Sequence, residues 1–233
     1  MHHFSWLQLF PNVTHETLHV ATALLSAVLL VILAFVGRMA LGKGDEAVAP
    51  ASSFSVKGVM EMITEFITDL AELIIGDDGK KFVPMFAAVF FYILINNMMG
   101  LIPGLSPSTD NLNTTVALGL LSFLVYNYYG VREHGVAYLK HFAGPVLWLA
   151  PLMVAIELVS HMIRPLSLGL RLQGNMMADH TVVAVFVDLF HGMWFIPIPA
   201  IFYGMSIFVS FMQAFVFTML SMIYISMAIA HDH

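Results

Sequence analysis

The chain has 233 residues, 59% of them hydrophobic and only 10% charged, with nine Lys and Arg against fifteen Asp and Glu for a net charge of −6. Globular chains carry about 25% charged residues, so a mean hydropathy of +0.86 on so few charges excludes a water-soluble fold, which could not cover its surface. The apolar runs are long and lack the strand alternation of a membrane barrel, so the expected class is an all-α polytopic membrane protein.

There is no Cys, hence no disulfide and no thiolate metal site. The 17 Met and 19 Phe are read as packing in lipid and not as a cofactor box. The N-terminus has no basic n-region, so no cleavable signal is expected.

The elements follow in chain order within a single membrane domain, residues 1–233. Residues 1–18 are a polar lead, and residues 19–41 a first span ending at Arg38 and Lys43. An Ala-, Ser- and acid-rich linker runs from Gly44 to Ser55. Residues 55–77 then form an amphipathic helix. Glu61, Glu65, Asp69 and Glu72 make one face, and Met60, Ile63, Phe66, Ile67, Leu70, Leu73 and Ile74 the other. It is expected to lie at the membrane interface. Its acidic face argues against attraction to anionic lipid and toward a protein neighbour or burial of the apolar face.

Residues 82–102 and 112–130 are two further spans, joined by the loop Leu105 to Asn111, which has no Lys or Arg. From residue 145 to 188 no polar loop intervenes. A helix of that length reaches about 65 Å, whereas an upright span needs about 20 residues. The segment must therefore tilt, run partly in the membrane plane, or break, with Pro165 the obvious bend point. Pro197 and Pro199 mark a turn, and residues 198–230 are again over-long. The count is five membrane-embedded helices plus one interfacial helix, the last two a tilted hairpin.

Orientation follows from the basic residues. Arg38, Lys43, Lys57, Lys80 and Lys81 lie between the first two spans, and Arg132 and Lys140 follow the third. The N-terminal lead, the Leu105 to Asn111 loop and the Asp188 to Pro199 turn have none. The N-terminus is expected outside, and the C-terminus, His231-Asp232-His233, in the cytoplasm.

Arg164 and Arg171 are the exceptions, both inside the over-long segment. A guanidinium keeps its proton at any accessible pH, and placing it among membrane residues costs about 2.5–3.5 kcal/mol on insertion scales. Such a charge is expected at a functional site, facing a partner or a watery cavity. Glu157, Arg164 and Arg171 are seven residues apart and share a helical stripe, with Asn175 one turn beyond Arg171. His180, nine residues from Arg171, points to the opposite side. Glu157 and Ser160 therefore sit toward the cytoplasmic end, Asn175, Asp179 and His180 toward the outer end, and Arg171 between. Polar groups reaching in from each end of a fixed positive charge suggest two offset half-pathways for an ion. His161 and His191 are read as packing histidines, and Glu157 as either a pathway group or a partner of Arg164 or His161.

The run Arg164-Pro165-Leu166-Ser167-Leu168-Gly169-Leu170-Arg171-Leu172-Gln173-Gly174-Asn175-Met176 resembles subunit a of the F-type ATP synthases, the stator channel subunit beside the rotating c-ring. Asn96 to Gly104 is similar to that family's Asn-x-x-Gly-Leu-x-Pro-Gly signature, and Gln213-Ala214-Phe215-Val216-Phe217 to its Gln-Ala-Phe-x-Phe segment. The resemblance covers about residue 15 to the end. It implies that Arg171 is the stator arginine and that Gln213 packs beside it from the last helix. It further implies Asn175 and His180 in the outer half-channel, and Glu157 with Ser160 in the inner one.

This chain departs from the family in two places. Many bacterial members have Glu where it has His180, and His where it has Ser206. No acid or His occupies the last helix before His231, so the outer route falls to Asp179, to Tyr203, or to water.

The resemblance also implies as partners the c-ring, the peripheral-stalk subunit b, translocated H⁺ and the lipid bilayer of a bacterial inner membrane. No cofactor, metal, nucleic acid or nucleotide site is implied, and no GxxxxGK[ST] loop occurs. His180, able to carry a proton near neutral pH, favours H⁺ over Na⁺. An alternative is a secondary transporter that binds an anionic substrate at an intramembrane Arg. Transporters usually carry paired repeats, and the Arg171 motif has no second copy.

Overall fold

The computed structural model describes residues 5–9, 13–14, 16–40, 55–102, 104–135, 138, 149–189 and 198–230. Among them the regular structure is entirely helical: α1 (Leu18–Ala40), α2 (Val56–Ile75), α3 (Val83–Met99), α4 (Leu112–His134), α5 (Ala150–Leu189) and α6 (Ile198–Ile229). Short 3₁₀ turns occupy Trp6–Leu9, Asp77–Phe82 and Ser108–Asp110. The linker 44–54, the start of the long segment at Pro145, His191 with the turn 190–197, and the C-terminal His231 to His233 lie outside the described residues.

Five of the six helices are long and apolar enough to cross a membrane, and α2 is the sixth. Its N-terminus is capped by the Ser55 hydroxyl, which accepts from the Gly58 N–H at 3.2 Å. Its C-terminus stops at Gly76, whose φ of 87° suits only a residue without Cβ. On α2, Ile67 and Ala71 are buried in the core, Phe66 meets Phe215 of α6, and Ser226 donates to the Ile74 carbonyl. Leu73, assigned to the apolar face, is instead 82% exposed, so that face is wider than what the core covers.

The core sits on α3 and α6. Phe86, Phe90 and Ile93 of α3 and Ala214, Phe217, Met222 and Ile225 of α6 are buried, with α4 and α5 packed around them. α1 exposes Leu24, Val31, Ile32 and Phe35, as suits a helix that turns most of its surface to lipid. Its Thr22 and Ser26 face inward.

α5 is unbroken through Pro165, so of the three ways to accommodate its length a break is excluded. Its 40 residues span about 60 Å against a hydrocarbon layer of about 30 Å. Its inward stripe is His161, Pro165, Leu168, Gly169, Leu172, Met176 and Asp179, at helical three- and four-residue spacing. The stripe passes α4 at two glycines. A Cβ on Gly119 would overlap the Pro165 carbonyl, and one on Gly169 would lie 2.9 Å from the Thr115 carbonyl oxygen. Small residues let these two backbones touch, the packing mode favoured where lipid removes the hydrophobic drive.

Candidate functional site

At the α3 end nearest the Ser108–Asp110 turn, two asparagines organise the chain. The buried Asn96 side chain donates to the Tyr92 carbonyl, and its Oδ1 accepts from the Ser26 and Ser108 hydroxyls. Asn97, also buried, accepts from the Thr109 hydroxyl at 2.8 Å and donates to the Ser210 carbonyl of α6 at 3.5 Å. Together they clamp the turn between α1 and α6.

Asp110, the next residue, is thereby aimed at α5. Its carboxylate lies 3.0 and 3.1 Å from His180 Nδ1. An ionised carboxylate only accepts, so this contact holds the Nδ1–H tautomer of His180. The other ring nitrogen packs on Gly100, where a Cβ would overlap Nε2. Gln173 donates to the Asp110 carbonyl at 3.4 Å. Asp179 is buried, and its Oδ2 has no hydrogen-bond partner among the described residues. The same holds for Ser206 Oγ on α6. Asn175 is exposed.

Toward the other end of α5, Arg164 pairs with Glu157 at 3.3 Å and lies 5.8 Å above the Tyr224 ring. Glu157, His161, Arg164, Tyr126, Tyr138 and Tyr224 line a cavity of about 210 Å³. Ser160 is exposed.

Arg171 lies between the two clusters, about 13 Å along the helix from His180 and about 21 Å from Glu157. It is exposed on the outward face of α5 and makes no hydrogen bond or ion pair among the described residues. Gln213 is buried on α6 and does not bond to Arg171. Near Arg171 the outward face is unobstructed, for a Cβ on Gly174 would meet nothing within 4 Å.

Sequence reasoning assigned Glu157, Ser160, Arg171, Asn175, Asp179, His180 and Gln213, but passed over Asp110. The available signal was its position, the one acid in the loop between two spans. Its pairing with a residue seventy positions later is a fact of three dimensions.

The ATP synthase A chain family matches residues 7–226. ATP synthase subunit a of Bdellovibrio bacteriovorus is 55% identical over 99% of both chains. That of Geobacter sulfurreducens is 37% identical over the whole of both, and subunit a 1 of Syntrophotalea carbinolica is 44% identical over 76% of this chain and 74% of its own. The chain belongs to the ATP synthase A chain family.

Proposed function

We propose that this chain is the proton-conducting stator subunit of a rotary ATP synthase, carrying H⁺ to and from c-ring carboxylates through two offset half-channels. It binds no nucleotide itself. The N-terminus lies outside and the C-terminus in the cytoplasm, so the Asp110–His180 cluster serves the outer half-channel and the Glu157 cavity the inner one.

The observation that carries the reading is the position of Arg171. A permanent cation on the outward face of an apolar span, with no partner among the described residues, is costly unless an acidic group from another subunit meets it. A rotor carboxylate supplies that group. In lipid it stays protonated, because desolvation disfavours its charged form. Facing Arg171 at about 4 Å and an effective dielectric of about 20, its anion gains on the order of 4 kcal/mol, or about three pKa units. The proton then leaves by one half-channel, and a new one arrives by the other after nearly a full turn. Each proton crossing about 100 mV releases about 2.3 kcal/mol.

In the outer half-channel His180 takes and returns the proton, with Asp110 holding its ring. Asp179 adds a buried carboxylate oxygen able to hold a proton, with Asn175 between it and Arg171 along the helix. Gln213 keeps the α6 side of Arg171 polar. In the inner half-channel Glu157 and Ser160 meet cytoplasmic water. The exposed acids Glu65 and Asp69 of α2 border a groove against Leu33, Ala34 and Gly37 of α1. That groove is our site for peripheral-stalk subunit b, and cross-links from Asp69→Cys that reach only lipid would remove it.

The central test is ATP-driven acidification of inverted vesicles carrying wild-type chain or Arg171→Ala in the whole complex. Loss of pumping with the complex assembled is expected. Unchanged pumping would overturn the gate role of Arg171.

A further inference from the structure

We propose that His161 is a proton-holding group of the inner half-channel, taking a proton from cavity water at Nδ1 and returning it there, while its Nε2–H stays fixed on Asn127. The inference rests on the half-channel reading of the Glu157 cavity, and it reverses the expectation that His161 merely packs.

The orientation of Asn127 is set first. Its amide nitrogen donates to the Phe123 carbonyl at 2.7 Å, so Oδ1 is the group turned toward α5. That oxygen lies 2.8 Å from His161 Nε2 and accepts from the Tyr138 hydroxyl at 3.2 Å. An amide oxygen has no proton to give, so Nε2 must be the donor. The remaining nitrogen, Nδ1, is the basic one, and the Tyr126 hydroxyl stands 3.4 Å from both ring nitrogens.

His161 is 5% exposed, yet it lines a cavity of about 210 Å³. Such a volume is roomy enough for several waters at about 30 Å³ each. The ionisable groups facing the ring are Tyr126 from α4, Tyr138 beyond α4, Glu157 and Arg164 from α5, and Tyr224 from α6. Burial pushes the Tyr138 phenol above its ordinary value, so it remains a neutral donor to Asn127. Glu157 and Arg164 pair at 3.3 Å. The cavity therefore has a donor-fixed imidazole with one basic nitrogen, beside an ion pair and hydroxyls that only donate or accept. Among the groups that line the cavity only His161 carries a basic ring nitrogen.

The step balances. A hydrated proton binds Nδ1, the imidazolium keeps both N–H bonds, and the same proton leaves Nδ1 for cavity water. Transfer through Asn127 plays no part.

The test measures ATP-driven pumping by the whole complex in inverted vesicles across external pH 5.5–8.5 (from about one unit below a free imidazole to about two above it). His161→Gln keeps a donor for Asn127 and cannot titrate. Asn127→Asp keeps the imidazole and sets a carboxylate on its Nε2–H. In His161→Gln the expected result is pumping slower by about tenfold or more, with the wild-type inflection lost. In Asn127→Asp the inflection moves upward by about one unit or more. A His161→Gln profile that superimposes on wild type would overturn the proposal. So would an unmoved inflection in Asn127→Asp, which keeps the test decisive where His161→Gln does not assemble. Arg171→Ala is run in parallel. If it pumps normally the half-channel reading itself fails, and if it alone loses pumping only the role of His161 is removed.

Discussion

The imidazole of His180 occupies the space that a side chain on Gly100 would need, since a Cβ built there would overlap Nε2. The Gly100 of the signature Asn97-Met98-Met99-Gly100 is thus explained by a residue eighty positions away. Gly100→Ala is expected to swing His180 off Asp110 while leaving the Asn96 and Asn97 clamps in place. Pumping should fall by up to about 10²-fold with normal assembly, the cost of a misplacement of about 1 Å where geometry controls transfer. Normal pumping by the assembled variant would show that the close approach has no bearing on transport.

Asp110→Asn separates charge from shape. The amide is isosteric and its oxygen still accepts from His180, but the charge beside Nδ1 that favours the imidazolium is removed. Uptake at the outer side should weaken, and the pH at which outer-side loading is half-maximal should fall, because removing a nearby carboxylate lowers the proton affinity of a histidine. ATP synthesis driven by an imposed gradient, measured against outer pH, reads this directly. An unshifted profile would leave Asp110 as a positioning group only.

Legibility in the sequence followed the range of the interaction. Helix type and number could be read from local apolar runs, and Arg171 from its chemistry alone, since a charge in a run such as Leu168 to Leu172 needs no partner to be conspicuous. The stripe arithmetic also put Arg171 and His180 on opposite sides of α5, and one is exposed while the other faces the α3–α4 loop. What could not be read was pairing across helices. Ser26 with Asn96, Asp110 with His180 and Asn127 with His161 join residues 70, 70 and 34 positions apart, and no periodicity encodes which turn of one helix meets which loop of another. Pro165, the expected bend point, does not break α5. Proline lacks an N–H and kinks or breaks a helix, and here the ring lies buried on the inward stripe at the Gly119 crossing, where tertiary packing supports a continuous helix.

That crossing supplies a stability prediction. Gly119→Val forces a branched side chain against the Pro165 carbonyl, and backbone cannot yield as a flexible side chain would. Overpacking of this kind costs about 1–3 kcal/mol. The variant complex should lose thermal stability in detergent or lose this subunit altogether. Gly174→Ala, whose added methyl meets nothing among the described residues, should leave the detergent stability of the subunit unchanged. Equal melting of the two variants would mean that α4 and α5 can separate at little cost.

Arg171→Lys asks whether any cation suffices at the gate. Lysine offers the same formal charge, so a purely coulombic barrier would survive the exchange. Two differences argue that it fails. A buried ammonium can release its proton, whereas a guanidinium cannot, and the planar fork presents two parallel N–H donors to a carboxylate where lysine presents a point charge. The exposed setting of Arg171, with no bond to Gln213 or any other described residue, leaves its fork available to a carboxylate from another subunit. Coupled ATP synthesis should therefore be lost in Arg171→Lys even though the complex assembles. Passive proton leak, measured in the same vesicles, distinguishes the two causes. A raised leak follows if the substituted amine deprotonates and opens a path between the half-channels, and an unchanged leak with lost synthesis follows if only the bidentate contact is missing. Normal coupled synthesis would reduce the requirement at this position to a single positive charge.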